Sequence, residues 1–297
     1  MKQAIVSVRM VIGALAVFAV VVLVTNAALS GNRVLDNIIY GPTFDYPGAG
    51  NATPNDINSN GIVVGYYADS LTTQHGFAMK NGQFKTFDPV GSIETEAWGI
   101  NDKNEIVGLY IDANNVQHGF FLRNGKFTNI DFPGAALTSA YGLNKADTVV
   151  GQIQDTGGVY HGFVLRNGNY TQFDPTGSVL TGAYGINDSN TAVGLYIDSN
   201  SVQHGFRLKN GAFITIDYPG GILTAAEKIT NKGQFVGIWE DSSDIIHGYV
   251  YANNTFTDID FPGATDTRTR GISASEGTVT GPWTDSSGVF HGYTATQ

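Results

Sequence analysis

The chain has no cysteine, which excludes both a disulfide framework and a lipid-modified cysteine, so stability must come from packing alone. Charge is scarce as well. Only 14% of residues are charged, against 42% hydrophobic, a balance that excludes disorder. The formal net charge is -10, and the 16 Lys and Arg residues are scattered along the sequence. Nucleic-acid binding rests on neutralising phosphates, and this pattern shows no footprint for it. Nucleophile elbows, phosphate-cradling glycine loops and zinc-ligand spacings are also missing.

There is one long apolar run. Lys2 and Arg9 precede Met10 to Val24, and small residues follow at Thr25, Ala27, Ala28 and Ser30. A basic start, a short apolar core and a small-residue exit predict a secretory signal over residues 1–30. The alternative is an uncleaved anchor. A spanning helix needs about twenty apolar residues, and the clean run here is shorter. Under either reading the rest of the chain is exported, as a secreted, periplasmic or cell-surface protein, with membrane attachment only through an uncleaved N-terminal segment.

From Thr43 onward one unit of forty-three residues is written six times. His75, His118, His161, His204, His247 and His291 mark it, with Asp69, Asp112, Asp155, Asp198, Asp241 and Asp285 six residues before each. The copies span residues 43–85, 86–128, 129–171, 172–214, 215–257 and 258–297. A period of this size signals a propeller or a solenoid. In the second copy, Ala97 to Ile100, Ile106 to Ile111, His118 to Arg123 and Lys126 to Asp131 read as four strands. Asn124-Gly125 forms a two-residue hairpin and Phe132-Pro133-Gly134 closes the last strand.

Ile106-Val107-Gly108-Leu109-Tyr110 is apolar on both faces, so its sheet must be covered on both sides. Polar solenoid caps are missing. Copy six stops before its fourth strand, and Asp36 to Asp45, ahead of copy one, resembles that missing strand. The sequence therefore predicts an all-β, six-bladed β-propeller of four-stranded antiparallel blades. Its ring is closed by an N-terminal strand in the segment 31–42, which leaves no exposed edge.

The Gly-Ile-Asn-Asp, Val-Gly-x-Tyr-x-Asp, His-Gly-Phe and Asn-Gly-x-Phe-Thr-x-Ile-Asp blocks resemble the HAF-type repeats of exported bacterial proteins. This chain has His-Gly-Phe or His-Gly-Tyr where that signature has His-Ala-Phe. The resemblance covers about Thr43 to Gln297. It implies an extracytoplasmic β-propeller of largely unassigned role, and it supplies no catalytic residues.

Histidines and aspartates in register invite a metal reading, which geometry opposes. Each histidine opens the third strand, about 10 Å outward from the innermost one at ~4.8 Å per strand, so six cannot converge on an ion. Asp112 and His118 instead flank one tight connection and are expected to pair across it. The Asn101 to Asn104 and Asn187 to Asn190 turns lack the ligand set of a calcium loop, and Asn and Asp are ordinary turn formers. No cofactor and no metal are expected.

A site for an asymmetric ligand must use what differs between copies. Trp98 has Asn55, Tyr141, Tyr184, Glu227 and Arg270 as counterparts. Two residues earlier stand Thr53, Glu96, Ser139, Gly182, Ala225 and Arg268, and two earlier again Asn51, Glu94, Leu137, Leu180, Leu223 and Asp266. Propeller channels are usual ligand mouths, so Glu96, Trp98, Glu227, Arg268 and Arg270 are the candidate ligand-binding residues, with Glu227 and Arg270 placed to pair across a blade boundary. A non-catalytic binding or scaffolding module fits best, its partner a glycan, a peptide or a cell surface. The alternatives are a lyase or hydrolase with Glu96 or Glu227 as base, and a structural envelope or matrix component.

Overall fold

A computed structural model describes residues 38–273 and 277–296. The leader or anchor at 1–30, residues 31–37 of the closing segment, and Ala274 to Glu276 of the last copy's turn lie outside the described residues. Everything described is strand, turn or loop. In each of repeats one to five four strands pair in chain order as an antiparallel sheet, and in the sixth the innermost strand is broken into Asp266–Thr267 and Gly271–Ile272 and the outermost is the N-terminal Ile39–Tyr40. Blade two is Ser92–Ile100, Ile106–Asp112, Gln117–Arg123 and Lys126–Ile130, from the innermost strand outward. Among the described residues, one parallel bridge, from Tyr160 of blade three to Leu180 of blade four, joins two of these sheets strand to strand.

The repeat words have local causes. Asn124 and Gly125 sit at φ of 51° and 76°, the left-handed pair that a two-residue hairpin turn requires. The innermost strand carries a bulge between Ala97 and Gly99, repeated in blades one to five. It presses the Glu96 carbonyl against the second strand, where a Cβ on Gly108 would lie 2.0 Å from that oxygen. Any side chain there would force the two strands apart. This accounts for the glycine of the Val-Gly word. Apolar residues on both blade faces meet those of neighbouring blades, as where Val107 and Ile130 of blade two pack with Ala140, Val149 and Phe163 of blade three.

Asparagine at the first turn joins the blades. Asn101 Oδ1 accepts from the Lys103 and Glu105 amides at 3.0 and 3.1 Å, while its Nδ2 donates to the Asn144 carbonyl at 3.3 Å. Asn58, Asn144 and Asn187 likewise donate to the carbonyls of Asn101, Asn187 and Thr230. The turn former is thus also a strut between blades. The series ends at Thr230, whose hydroxyl is buried without a hydrogen-bond partner.

The histidine pairing differs from the sequence expectation. His118 Nδ1 bonds Asp131, thirteen residues on, at 2.9 Å, while Nε2 lies 3.7 Å from Asp112. Asp112 is occupied chiefly with the amides of Asn114 and Val116, at 2.8 and 2.9 Å. Each histidine therefore lies between two carboxylates, and the closer one ends the fourth strand. In blade six that carboxylate is Asp45, 2.8 Å from His291. The N-terminal strand closes the ring as expected. Ile39 pairs with Thr296 and Tyr40 with Ala295, and the Gly41 amide donates to the Thr294 carbonyl at 2.8 Å.

Deleting residues 38–45 is expected to unseat blade six and cause aggregation through the exposed edge; an unchanged melting temperature with monomeric behaviour would count against closure. The His118→Ala variant should lose about 1 kcal/mol, the low end for a hydrogen bond, because Asp131 is half exposed and stays hydrated. Denaturant melts of His161→Ala and His204→Ala should give matching losses if the copies are equivalent.

Candidate functional site

Alternating strand directions put the turns after the second and fourth strands on one face of the ring, called here the entry face. Those after the first and third strands lie on the opposite, exit face. Each innermost strand runs from entry to exit and lines the central axis.

The five candidate residues fall on three innermost strands but do not form an open mouth. Glu96 and Trp98 are buried, at 2% and 6% exposure, and Glu227 is at 7%. Trp98 Nε1 donates to Glu96 Oε2 at 2.7 Å. The Trp98 ring sits against Tyr141, which stacks on Tyr184 with centroids 4.7 Å apart. Arg270 lies over the Trp98 ring at 5.3 Å. These side chains plug the channel. The placement corrects the rim expectation for Glu96, Trp98 and Glu227, because residues projecting inward from the strands are close enough to fill the axis themselves, while Arg268 and Arg270 stay partly exposed.

One pairing also differs from expectation. Arg270 Nη1 donates forward across the closing boundary to Asn55 Oδ1 at 2.8 Å, rather than pairing back with Glu227. Arg268 turns to Asp266 at 2.8 Å and lies over the Phe290 ring at 5.3 Å. Burial pushes Glu96 up to about 7, with Trp98 and Arg270 pulling the other way. Glu227 is raised by burial and partly offset by Arg270, Lys228 and Arg268.

A second locus, at the exit end, was missed. One residue beyond Trp98 most copies have glycine (Gly99, Gly142, Gly185 and Gly271), but copies one and five have Asp56 and Lys228. The same search for broken symmetry, moved by one position, would have found them. Lys228 Nζ donates to the carbonyls of Tyr141 and Tyr184 at 2.6 and 2.8 Å, reaching over the space that two glycines leave. Asp56 accepts from the amides of Ile57 and Ile100 at 2.9 and 3.0 Å. Burial raises Asp56 to about 6, with Lys228 as the largest opposing influence. Both line a cavity of about 80 Å³, with Asn58, Asn101, Asn144 and Asn187 around it. At about 30 Å³ per water this holds a few waters or one small polar group, well short of the usual ligand pocket of about 300–1,000 Å³.

The bases, scattered in sequence, are sorted by the fold. Lys80, Arg123, Arg166 and Lys209 end third strands on the exit face, and Lys103, Lys145 and Lys232 sit in its first turns. The entry face holds all six histidines with their paired aspartates. It also holds exposed Leu71, Val90, Val116, Val159, Val179, Val202, Ile222 and Ile245.

A raised carboxyl in the folded state gives a stability contribution complete below its unfolded value and lost as pH rises through the folded one. For Glu96 the window runs from about 4.5 to about 7, so about 3 kcal/mol should disappear between about pH 5 and pH 8. Raised His247 and His291 act with the same sign. Thermal melts of Glu96→Gln across this range isolate the Glu96 share; the variant's profile should be flatter, and an identical slope would refute the assignment. Arg270→Ala, which strands Asn55 and uncovers Trp98, should cost about 1–3 kcal/mol, read by denaturant titration.

No model of a known protein family matches the chain, and no curated protein matches it in sequence. Solved structures do share its fold. AofleA from Arthrobotrys oligospora superposes with a TM-score of 0.56 at 12% identity, over 86% of each chain. The Aleuria aurantia lectin, described as having a six-bladed β-propeller fold and a novel fucose recognition mode, gives 0.52 at 12% identity over 85% of this chain and 93% of that one. TolB from Acinetobacter baumannii gives 0.55 at 13% identity, over 80% of this chain and 64% of its own. At these identities the likeness is one of fold: the chain is a β-propeller, similar in architecture to lectins and to TolB.

Proposed function

We propose that the protein is an exported, non-catalytic β-propeller that works as a binding or scaffolding module through its faces, recognising a glycan or other surface partner. The plugged channel carries this reading. The carboxylates suited to acid–base work, Glu96 and Glu227, are buried among Trp98, Tyr141, Tyr184 and Arg270, where no substrate reaches them. A raised carboxyl such as Glu96 would suit a general base, but access comes first. The likeness to the fucose-recognising lectin supports binding as the use of such a ring, and the resemblance to HAF-type repeats supports export.

Glycan and peptide arrays probed with the full chain are the test. Val159→Asp and Val202→Asp, both on exposed entry-face residues, should reduce capture at least tenfold with unchanged melting. Capture untouched by any face substitution, or a turnover that vanishes in Glu96→Gln, would reject the reading.

A further inference from the structure

The third strand of each repeat has opposite chemistry at its two ends. Its entry end holds the histidine between two carboxylates, as His161 lies between Asp155 and Asp174 at 3.4 and 2.8 Å. Its exit end, five residues on, is Lys80, Arg123, Arg166 or Lys209 in blades one to four, and Ala252 or Thr296 in the last two. Both ends belong to one strand position in every blade, so the ring of carboxylates and the arc of cations lie at similar radius and share the same angular spacing. A seven-residue strand separates them by about 20 Å. That exceeds the screening length of about 8–10 Å at ordinary salt, so the two faces do not neutralise each other within one molecule.

Between the carboxylates the entry face exposes an aliphatic residue two positions before each histidine in blades two to six: Val116, Val159, Val202, Ile245 and Val289, each about 40% exposed. Exposed apolar positions repeated at blade spacing, beside two carboxylates for each histidine, mark an interaction surface. The exit face of the same protein matches it in radius and spacing; Lys103, Arg123 and Lys145 there pair with Asp102, Glu105, Asp147 and Asp188, so Lys80, Arg166 and Lys209 supply the complementary charge.

We infer that the protein stacks coaxially on a second copy of itself, entry face on exit face. The inference rests on the scaffolding half of the proposed function. The contact is heterologous, the carboxylates of one copy meeting Lys80, Arg166 and Lys209 of the next, so it does not close and builds a column rather than a dimer. Contacts of this kind are long-range and salt-sensitive, with the aliphatic ring removed from water as the faces meet.

Sedimentation velocity of the full chain in mild detergent tests this. At about 20 mM salt the average mass should climb with concentration, and at about 500 mM it should fall to that of the monomer. Association through the apolar N-terminal run would respond to salt in the opposite sense. The triple variant Lys80→Glu, Arg166→Glu, Lys209→Glu changes only exposed residues and should be monomeric at both salts. Because its entry face is intact, it should cap wild-type columns and lower their mass when mixed in. A wild type that stays monomeric at low salt overturns the proposal, as does association that survives in the triple variant. Either result, with glycan or peptide capture retained, would leave the binding reading standing.

Discussion

Everything in this molecule depends on how closely the innermost strand approaches the second. The bulge drives a carbonyl to within 2.0 Å of where a Cβ on Gly108 would stand, and the equivalent glycines Gly65, Gly151, Gly194, Gly237 and Gly281 face the same constraint. With glycine there the sheet keeps its pairing through the bulge, and the innermost strand can turn an extra residue toward the axis. The side chains at Trp98 and its counterparts become the filling of the channel as a result. The word Val-Gly, which looks like a spacer in sequence, is the contact that lets these side chains fill the axis above the exit-end cavity.

The blade was legible because its signals are local. Asn124-Gly125 specifies its own turn, Ile106 to Ile111 reports burial on both faces, and the strand-like residues ahead of copy one include the strand that pairs with Ala295 and Thr296. Pairing partners were less legible. Asp112 recurs six residues before all six histidines and Asp131 thirteen after the first five, and sequence spacing favours the nearer. The fold favours the farther, because Asp131 ends the strand hydrogen-bonded beside His118, while Asp112 is held by its own turn amides.

Departure from symmetry located the chemically distinct residues but not their exposure. Glu96, Trp98 and Arg270 do come together, yet no single copy shows that three aromatics from consecutive blades leave no opening. The sorting of bases was hidden for a related reason. Lys80 and Lys145 belong to different turns of different copies, and only the alternation of strand direction places both at one end of the ring.

The charged residues of copies five, six and one are best understood through the seam they occupy. The asparagine struts link blades one to five in series and then stop, because copies five and six have Thr230 and Ser273 where an amide is needed. Around that stretch other side chains add contacts between blades. Lys228 holds the carbonyls of blades three and four from blade five, and Arg270 joins blade six to Asn55 of blade one. Asn55 and Asp56 then bind the Ala97 carbonyl and Ile100 amide of blade two. A closed ring of repeats has one junction where the chain ends meet, and its loss would open every other contact. Among these contacts, Arg270 to Asn55 crosses a boundary that the struts leave unjoined, and the other ionic and polar side chains reinforce boundaries that already have a strut. Burying them carries a desolvation cost, visible in the raised carboxyls of Asp56, Glu96 and Glu227. The channel arginine that first suggests a site is therefore part of the seam's fastening.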